Sequence, residues 1–280
     1  MKKTNLFLTS ITLFGLLSFA GCENNSSSSN TLSSSTVEEY VDYELIVKTI
    51  GNRRVGDVTV EIYKGDSLVK SAVTNFMGKA TVNIPKDSYR VELTNLPAGH
   101  YYDESYSLPN EAGSYTFECL TTVIDEEMPK NHRYQTYDLM YDFTVEDSNG
   151  NDFTLSDCFA NGKSLLLLNF WATWCGYCIQ EFPHFETALD IYGDDLEIFA
   201  LTVEPSDTNK VINEFKEDYD ISFGMGRDIN YERFLSFGFT GSVPATVLIN
   251  KYGVIEYIGV GAFSKDDLLD LVDDALSYLI

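Results

Sequence analysis

The chain has 280 residues, with 19 Lys and Arg against 43 Asp and Glu, and a formal net charge of −24. This length accommodates two domains behind a leader. So acidic a surface repels phosphate backbones, which excludes nucleic acid as an expected partner and offers no attraction to anionic lipid headgroups. We interpret the charge itself mainly as a solubility feature.

Residues 1–21 are typical of an export signal. Lys2 and Lys3 precede an apolar run from Leu6 to Ala20 that is too short to span a membrane comfortably. The run ends in Ser18-Phe19-Ala20-Gly21-Cys22, which resembles the lipobox of bacterial lipoproteins in its last three positions. Phe19 departs from that pattern, since an aliphatic residue is expected there. The resemblance implies cleavage before Cys22 and lipidation of its thiol; the alternative is an ordinary secretory signal followed by a chance cysteine.

Residues 22–36 are rich in Ser and Asn and contain almost no apolar side chains. Such a segment cannot bury enough surface to fold, so it is predicted to be a flexible tether. Together with the lipobox, it predicts an extracytoplasmic protein that is lipid-anchored to a bacterial membrane through Cys22.

Residues 37–125 are predicted to form a small all-β sandwich with antiparallel strands, because short β-rich runs alternate with turn residues. The expected strands are Tyr43 to Ile50, Val58 to Tyr63, Ser67 to Thr74, Ala80 to Ile84, Tyr89 to Leu93 and Ser114 to Ile124. Cys119, which shares a strand face with Tyr115 and Phe117, is expected to be a buried small hydrophobe.

The runs Val58 to Tyr63, Tyr89 to Leu93 and Leu96 to Tyr101 resemble the prealbumin-like and collagen-adhesin B-type repeats of bacterial surface proteins. The resemblance implies either a spacer or a module that docks or presents a substrate, and we favour the spacer. Residues 126–137 are polar and contain Pro129, which predicts a linker between this domain and the next.

Residues 138–280 alternate strand and helix patterns, which predicts a sheet covered by helices on both faces. The strands are expected at Leu165 to Leu168, Leu196 to Val203 and Ser222 to Met225, followed by a hairpin of Ala245 to Ile249 and Val254 to Val260. The helices are expected from Cys175 to about Tyr192, from about Thr208 to Tyr219, from Tyr231 to Phe237, and from Ser264 onward.

Cys175 and Cys178 form a C-x-x-C pair at the predicted change from strand to helix. Unpaired N–H groups at a helix N-terminus favour a thiolate at Cys175, and Cys178 lies one turn further on the same side, where it can close a disulfide. A zinc site would need a second pair of Cys or His at ligand spacing, and the remaining ones are scattered. The pair is therefore predicted to be redox-active, with no metal.

Three separated motifs resemble the TlpA and ResA group of thioredoxin-like proteins. They are Asn169 to Cys178, then Glu181-Phe182-Pro183, then Ser242 to Thr246. The resemblance implies a thioredoxin-like α/β fold for 138–280, with Cys175 as the attacking thiol and Cys178 as the resolving one. It also implies a cis peptide before Pro244, which leaves the Val243 backbone free to pair with an incoming peptide.

In this group an acid three residues after the second cysteine serves the disulfide, and Glu181 occupies that position. A carboxylate one helical turn from a thiol raises the pKa of that thiol and can relay its proton. The alternative is a solvated helix residue. Trp171, Trp174 and Tyr177 are expected to supply apolar contact around the disulfide.

The resemblance implies a membrane-tethered thiol-disulfide oxidoreductase that uses no cofactor, reduces disulfides in exported proteins and receives electrons from an integral membrane thiol carrier. Gly176-Tyr177 departs from the Pro-containing pairs common in the family, so a disulfide-forming oxidant or an isomerase of the same fold stays open. A peroxiredoxin needs Thr where Ala172 stands, which argues against peroxide reduction. A non-catalytic surface adhesin is disfavoured because it has no use for both cysteines. Cys158 is expected to be inert.

Overall fold

The computed structural model describes residues 38–50, 52–102 and 105–279. The predicted signal, the lipidation of Cys22 and the tether lie outside the described residues. By its contacts, the chain from Glu38 onward forms one compact unit. None of the helices in the described ranges is long and apolar enough to cross a bilayer.

Eight short strands make up the first part of the described chain. They are β1 (Tyr40–Thr49), β2 (Thr59–Lys64), β3 (Ser67–Val73), β4 (Lys79–Pro85), β5 (Tyr89–Thr94), β6 (His100–Tyr101), β7 (Tyr106–Leu108) and β8 (Gly113–Thr121). The predicted strands agree with six of these to within a few residues. The two- and three-residue strands β6 and β7 were not predicted, because runs so short carry no periodicity.

The strands form two four-stranded sheets, in the orders β4-β1-β8-β6 and β3-β2-β5-β7. Alternate side chains point between the sheets, as in β5, where Tyr89, Val91 and Leu93 are buried. They share one apolar core with residues such as Leu45 and Phe117. Cys119 belongs to this core, as expected. The predicted all-β sandwich is confirmed.

The prediction of a purely antiparallel sandwich is wrong in one pair. β1 pairs with β4 in antiparallel orientation but with β8 in parallel orientation. The chain leaves β7 in the second sheet and crosses back to the first, so β8 enters beside β1 in the same direction. Parallel strands need such a crossover, and strand periodicity carries no information about the pairing partner.

The second part of the chain contains strands and helices. They are β9 (Thr144–Glu146), β10 (Asp152–Thr154), α1 (Leu155–Ala160), β11 (Leu165–Trp171), α2 (Gly176–Tyr192), β12 (Leu196–Thr202), α3 (Asn209–Asp218), β13 (Gly224–Arg227), α4 (Glu232–Ser236), β14 (Ala245–Asn250), β15 (Ile255–Val260) and α5 (Lys265–Ser277). The expected helices and hairpin are confirmed. The strand predicted at Ser222 to Met225 begins two residues later, and α1 was not predicted.

β11 is the middle strand of a five-stranded sheet ordered β13-β12-β11-β14-β15. β11, β12 and β13 are parallel and β14 runs antiparallel to β11, whereas β15, which is antiparallel to β14, points in the same direction as β11. All seven residues of β11 are buried, because helices cover both faces. Leu165 and Leu167 pack in a core with α2, α3 and α5, whereas Leu166 and Leu168 pack in a core with α1 and α4. This is the predicted thioredoxin-like α/β fold.

Residues 137–142 contact both parts of the described chain through backbone hydrogen bonds. The N–H of Ile124 donates to the carbonyl of Met140 at 2.8 Å, and the N–H of Met140 donates to the carbonyl of Gly253 at 2.7 Å. A Cβ at Gly253 would lie 2.6 Å from the backbone nitrogen of Val123, so this close approach requires glycine. The domain boundaries given above stay a prediction.

Candidate functional site

Cys175 and Cys178 lie at the junction between β11 and α2. Cys175 is the N-cap residue of α2, and its Sγ accepts a hydrogen bond from the N–H of Cys178 at 3.2 Å. The two cysteines are joined by a disulfide, and both side chains are buried. An N–H group aimed at Sγ and the positive end of the helix dipole favour a thiolate at Cys175 once the disulfide is reduced.

Two acids after β12 hold the two residues before Cys175. Asp207 is buried, and its carboxylate accepts hydrogen bonds from the N–H of Thr173 at 3.1 Å and the hydroxyls of Thr173 and Thr202, both at 2.7 Å. The indole N–H of Trp174 donates to Glu204 at 2.8 Å. These contacts fix the turn that presents Cys175.

Two aromatic side chains beside the disulfide are open to solvent. Trp174 is 65% exposed and Tyr177 is 70% exposed, so both can contact an incoming partner. Trp171, in contrast, is buried against Phe182 and Phe215, in the core that also contains both cysteines. It lies on the face of β11 that α2 covers.

The Val243-Pro244 peptide is cis, as the family resemblance implied. Pro244 is buried and Val243 is half-buried. β14 begins only at Ala245, so Val243 stands outside the described strand ladder. Val243 also packs against the core that contains both cysteines. The structure therefore brings Val243 and Pro244 to the same region as the disulfide.

Glu181 lies on the buried face of α2, one turn after Cys178, and is not the solvated helix residue of the alternative reading. Its Oε1 accepts a hydrogen bond from Nδ2 of Asn169 at 3.0 Å, and its Oε2 accepts one from the N–H of Phe263 at 3.1 Å. Within the described ranges no Lys or Arg forms an ion pair with it. It is thus a buried carboxyl held only by neutral donors.

Burial raises the pKa of Glu181 to about 7, although the hydrogen bonds from Phe263 and Asn169 act in the opposite direction. A carboxyl with this pKa exchanges its proton at neutral pH. Residues three apart on a helix are neighbours, so Glu181 and Cys178 share the buried side of α2.

The remaining cysteines of the described chain are not poised to react. Burial raises the pKa of Cys119 to about 11 and that of Cys158 to about 12. A thiol reacts through its thiolate, which is scarce at such pKa values. In the residues that the structure describes, no group of three or more His, Cys, Asp or Glu could hold a metal ion.

Several contacts at the site were not predicted from the sequence. Asp207 lies 34 residues from Thr173, and Phe263 lies 82 residues from Glu181. Phe263 acts through its backbone N–H, which every residue other than proline possesses, so no residue type could have signalled it. The uncharged Asn169 between apolar neighbours was the one visible hint of a buried polar contact.

Comparison with known proteins agrees with this geometry. Residues 137–258 match the model of the AhpC/TSA family. The chain is 32% identical over 140 residues to the thioredoxin-like protein YneN of Bacillus subtilis, covering 47% of this chain and 75% of that protein. It is 30% identical over 160 residues to the thiol-disulfide oxidoreductase ResA of Oceanobacillus iheyensis, covering 54% of this chain and 79% of that protein.

The chain belongs to the thioredoxin-like thiol-disulfide oxidoreductases. It is a protein-disulfide oxidoreductase, and Cys175 and Cys178 are the C-x-x-C pair that lies within the matched region.

Two solved structures are also similar to about half of the chain. StoA of Bacillus subtilis is 22% identical with a TM-score of 0.39, covering 47% of this chain and 96% of that one. A thio-disulfide isomerase of Thermus thermophilus is 25% identical with a TM-score of 0.41, covering 51% of this chain and 97% of that one.

Proposed function

We propose that this oxidoreductase works as a reductase on disulfides of exported proteins. The observation that carries the proposal is the buried Glu181, one helical turn after Cys178 and titrating near neutral pH. A carboxylate there destabilises a nearby thiolate by like-charge repulsion. Strong oxidants of this fold class depend on a stabilised reduced form, so the same carboxylate favours a reducing pair.

In the first step the Cys175 thiolate attacks one sulfur of a substrate disulfide. The substrate S–S bond breaks, a mixed disulfide forms between Cys175 and the substrate, and the second substrate sulfur leaves as a thiolate that takes a proton from solvent. Trp174 and Tyr177 contact the substrate beside this bond, and the backbone of Val243 next to Pro244 pairs with the extended segment that carries it.

In the second step Cys178 gives its proton to Glu181 and attacks the Cys175 sulfur. The mixed disulfide breaks, the Cys175–Cys178 disulfide forms, and the substrate sulfur leaves as a thiolate that accepts a proton. The substrate gains two electrons and two protons, and the dithiol loses them. The disulfide seen in the structure is the product of this step.

The next cycle requires a dithiol donor. We propose an integral membrane thiol carrier for this role, and exported disulfide-containing proteins as substrates. The support for this setting is the lipobox-like sequence that ends in Cys22, which would anchor the protein at the outer face of a bacterial membrane. A spacer role for the sandwich fits the same arrangement, because it holds the thioredoxin-like domain away from the tether.

The reductase proposal is tested with insulin as a disulfide substrate and dithiothreitol as the electron donor. The protein is expected to accelerate precipitation of the insulin B chain, while the same protein without donor does so for at most one turnover. A parallel assay supplies reduced, unfolded ribonuclease A to the disulfide form of the protein. Oxidation of ribonuclease that outruns insulin reduction under matched conditions contradicts the proposed direction.

A further inference from the structure

Asn169 is a buried polar residue of the site that has no part in the proposed mechanism. It lies on β11 directly opposite Thr246 of β14, on the sheet face that α2 covers. It is fully buried. A buried amide in a row of apolar side chains costs free energy unless its hydrogen-bonding groups are satisfied, so its partners define its role.

The amide nitrogen of Asn169 has two partners. Nδ2 donates one hydrogen bond to Oε1 of Glu181 and one to Oγ1 of Thr246, both at 3.0 Å. The first bond stabilises the carboxylate form of Glu181, because a carboxylate accepts such a bond more strongly than a carboxylic acid does. The second bond holds the amide plane against the neighbouring strand.

The amide oxygen of Asn169 is buried and has no hydrogen-bond partner among the described residues. A protonated Glu181 needs an acceptor for its new O–H group. A half-turn of the Asn169 amide would exchange the two ends and offer Oδ1 to that O–H. The same side chain can therefore serve both protonation states of Glu181, as donor to one and acceptor to the other.

We propose that Asn169 is a positioning residue that serves both protonation states of Glu181, by donating to the carboxylate and, after rotation of its amide, accepting from the acid. This inference rests on the proposed role of Glu181 and adds the residue that tunes it. Asparagine suits the position because it has a donor and an acceptor but no charge of its own.

Few other titratable groups face Glu181. Cys178 and His184 share helix α2 with it, and Nδ1 of His184 contacts the carbonyl of Phe263 at 3.0 Å. Burial raises the pKa of Tyr257 on β15, and the nearby charge of Glu181 raises it further. Asp267 at the start of α5 is exposed and bonds to Ser264. β11 and β14 present Asn169 and Thr246, which do not titrate in this range.

The test is the titration of the Glu181 side-chain carboxyl by carbon NMR in the disulfide form of the full chain. Asn169→Leu removes the donor and the acceptor and is expected to raise the Glu181 pKa by about 1 to 2 units, since a hydrogen bond to a charged group has about that effect. Thr246→Val is the matched control: it removes the other partner of Nδ2 and is expected to leave the Glu181 midpoint in place.

Asn169→Asp is a second variant with a distinct expectation. It sets a second carboxyl beside Glu181, so the pair is expected to titrate in two steps that are separated by more than one pH unit. In the wild type, the side-chain amide protons of Asn169 are expected to shift with the same midpoint as the Glu181 carboxyl. A Glu181 midpoint that stays put in Asn169→Leu, or a single unshifted step in Asn169→Asp, overturns the inference.

The pH profile of insulin reduction separates this inference from the proposed function. If Glu181→Gln leaves the profile unchanged, the proposed role of Glu181 fails, whatever the NMR titration shows for Asn169. If Glu181→Gln removes the transition near pH 7 while Asn169→Leu leaves that transition in place, the inference about Asn169 alone fails. In the double variant, Asn169→Leu is expected to add no further change to the profile of Glu181→Gln.

Discussion

Replacing Cys175 by Ser is expected to lower insulin reduction to the rate measured without protein. Cys175 is the thiol at the start of α2, and the other described thiols outside the pair, Cys119 and Cys158, are buried with raised pKa values. Neither of these two thiols is therefore a suitable alternative nucleophile. A serine hydroxyl cannot replace a thiolate in disulfide exchange.

Replacing Cys178 by Ser is expected to have a different result, because it removes only the resolving thiol. Cys175 still attacks, but no intramolecular attack releases the mixed disulfide with the substrate. The mixed disulfide should therefore accumulate as a band on a non-reducing gel, and this band should disappear when the sample is treated with reductant. Cys158→Ala is the matched control and should retain wild-type turnover. Full turnover by the Cys175 variant, or accumulation of the mixed disulfide in that variant instead of the Cys178 variant, would contradict the assigned order of attack.

Replacing Glu181 by Gln is expected to change how stability depends on pH. Burial raises the pKa of Glu181 from 4.5 to about 7. Between these values the folded chain keeps the proton and the unfolded chain loses it, so the wild-type free energy of unfolding falls as the pH rises. For a shift of this size the loss is about 3 kcal/mol. Gln does not titrate, so the variant lacks this loss.

The measurement is chemical denaturation of the disulfide form of both proteins from pH 4 to pH 8. The difference in unfolding free energy, variant minus wild type, should grow by about 3 kcal/mol across this range, most of it between the two pKa values. Any cost of the amide that is the same at every pH offsets this difference by a constant and does not affect how much it grows with pH. Asp190→Asn, an exposed position on the same helix, should give a flat difference. A flat difference for Glu181→Gln as well would show that the carboxyl is not held protonated by the fold.

Glu181 is a carboxyl that becomes charged in the interior of the fold above pH 7. An uncharged substitute is expected to give a higher free energy of unfolding there. Retaining such a group makes sense if the proton that it exchanges belongs to the reaction. The same substitution should therefore remove the transition near pH 7 from the pH profile of disulfide reduction.

The sequence predicted the centre of the site well and its surroundings poorly. Cys175 could be placed at the start of a helix because four aliphatic residues precede the motif and helical periodicity follows it. The burial of Trp171 was not predicted, because the motif alone does not indicate which of its aromatic side chains faces the core. Asp207 and Phe263 were missed because their contacts to Thr173 and Glu181 depend on how distant segments pack.

The same distinction holds for the first part of the chain. Short β-rich runs between turn residues predicted the strands, including β5, in which the structure buries alternate residues. The parallel pairing of β1 with β8 was not predictable, because it depends on a crossover between sheets and not on the pattern within either strand. The resemblance of this part to the B-type repeats of surface proteins stays a prediction.

The reduction potential of the Cys175–Cys178 pair decides whether the pair acts as a reductant. The purified protein is equilibrated with glutathione or dithiothreitol redox buffers at pH 7, and the dithiol fraction is counted by thiol labelling and mass spectrometry. We expect a potential near that of thioredoxin, about −270 mV. A value near about −120 mV, the range of a strong oxidant such as DsbA, would contradict this expectation and reverse the proposed direction of electron flow.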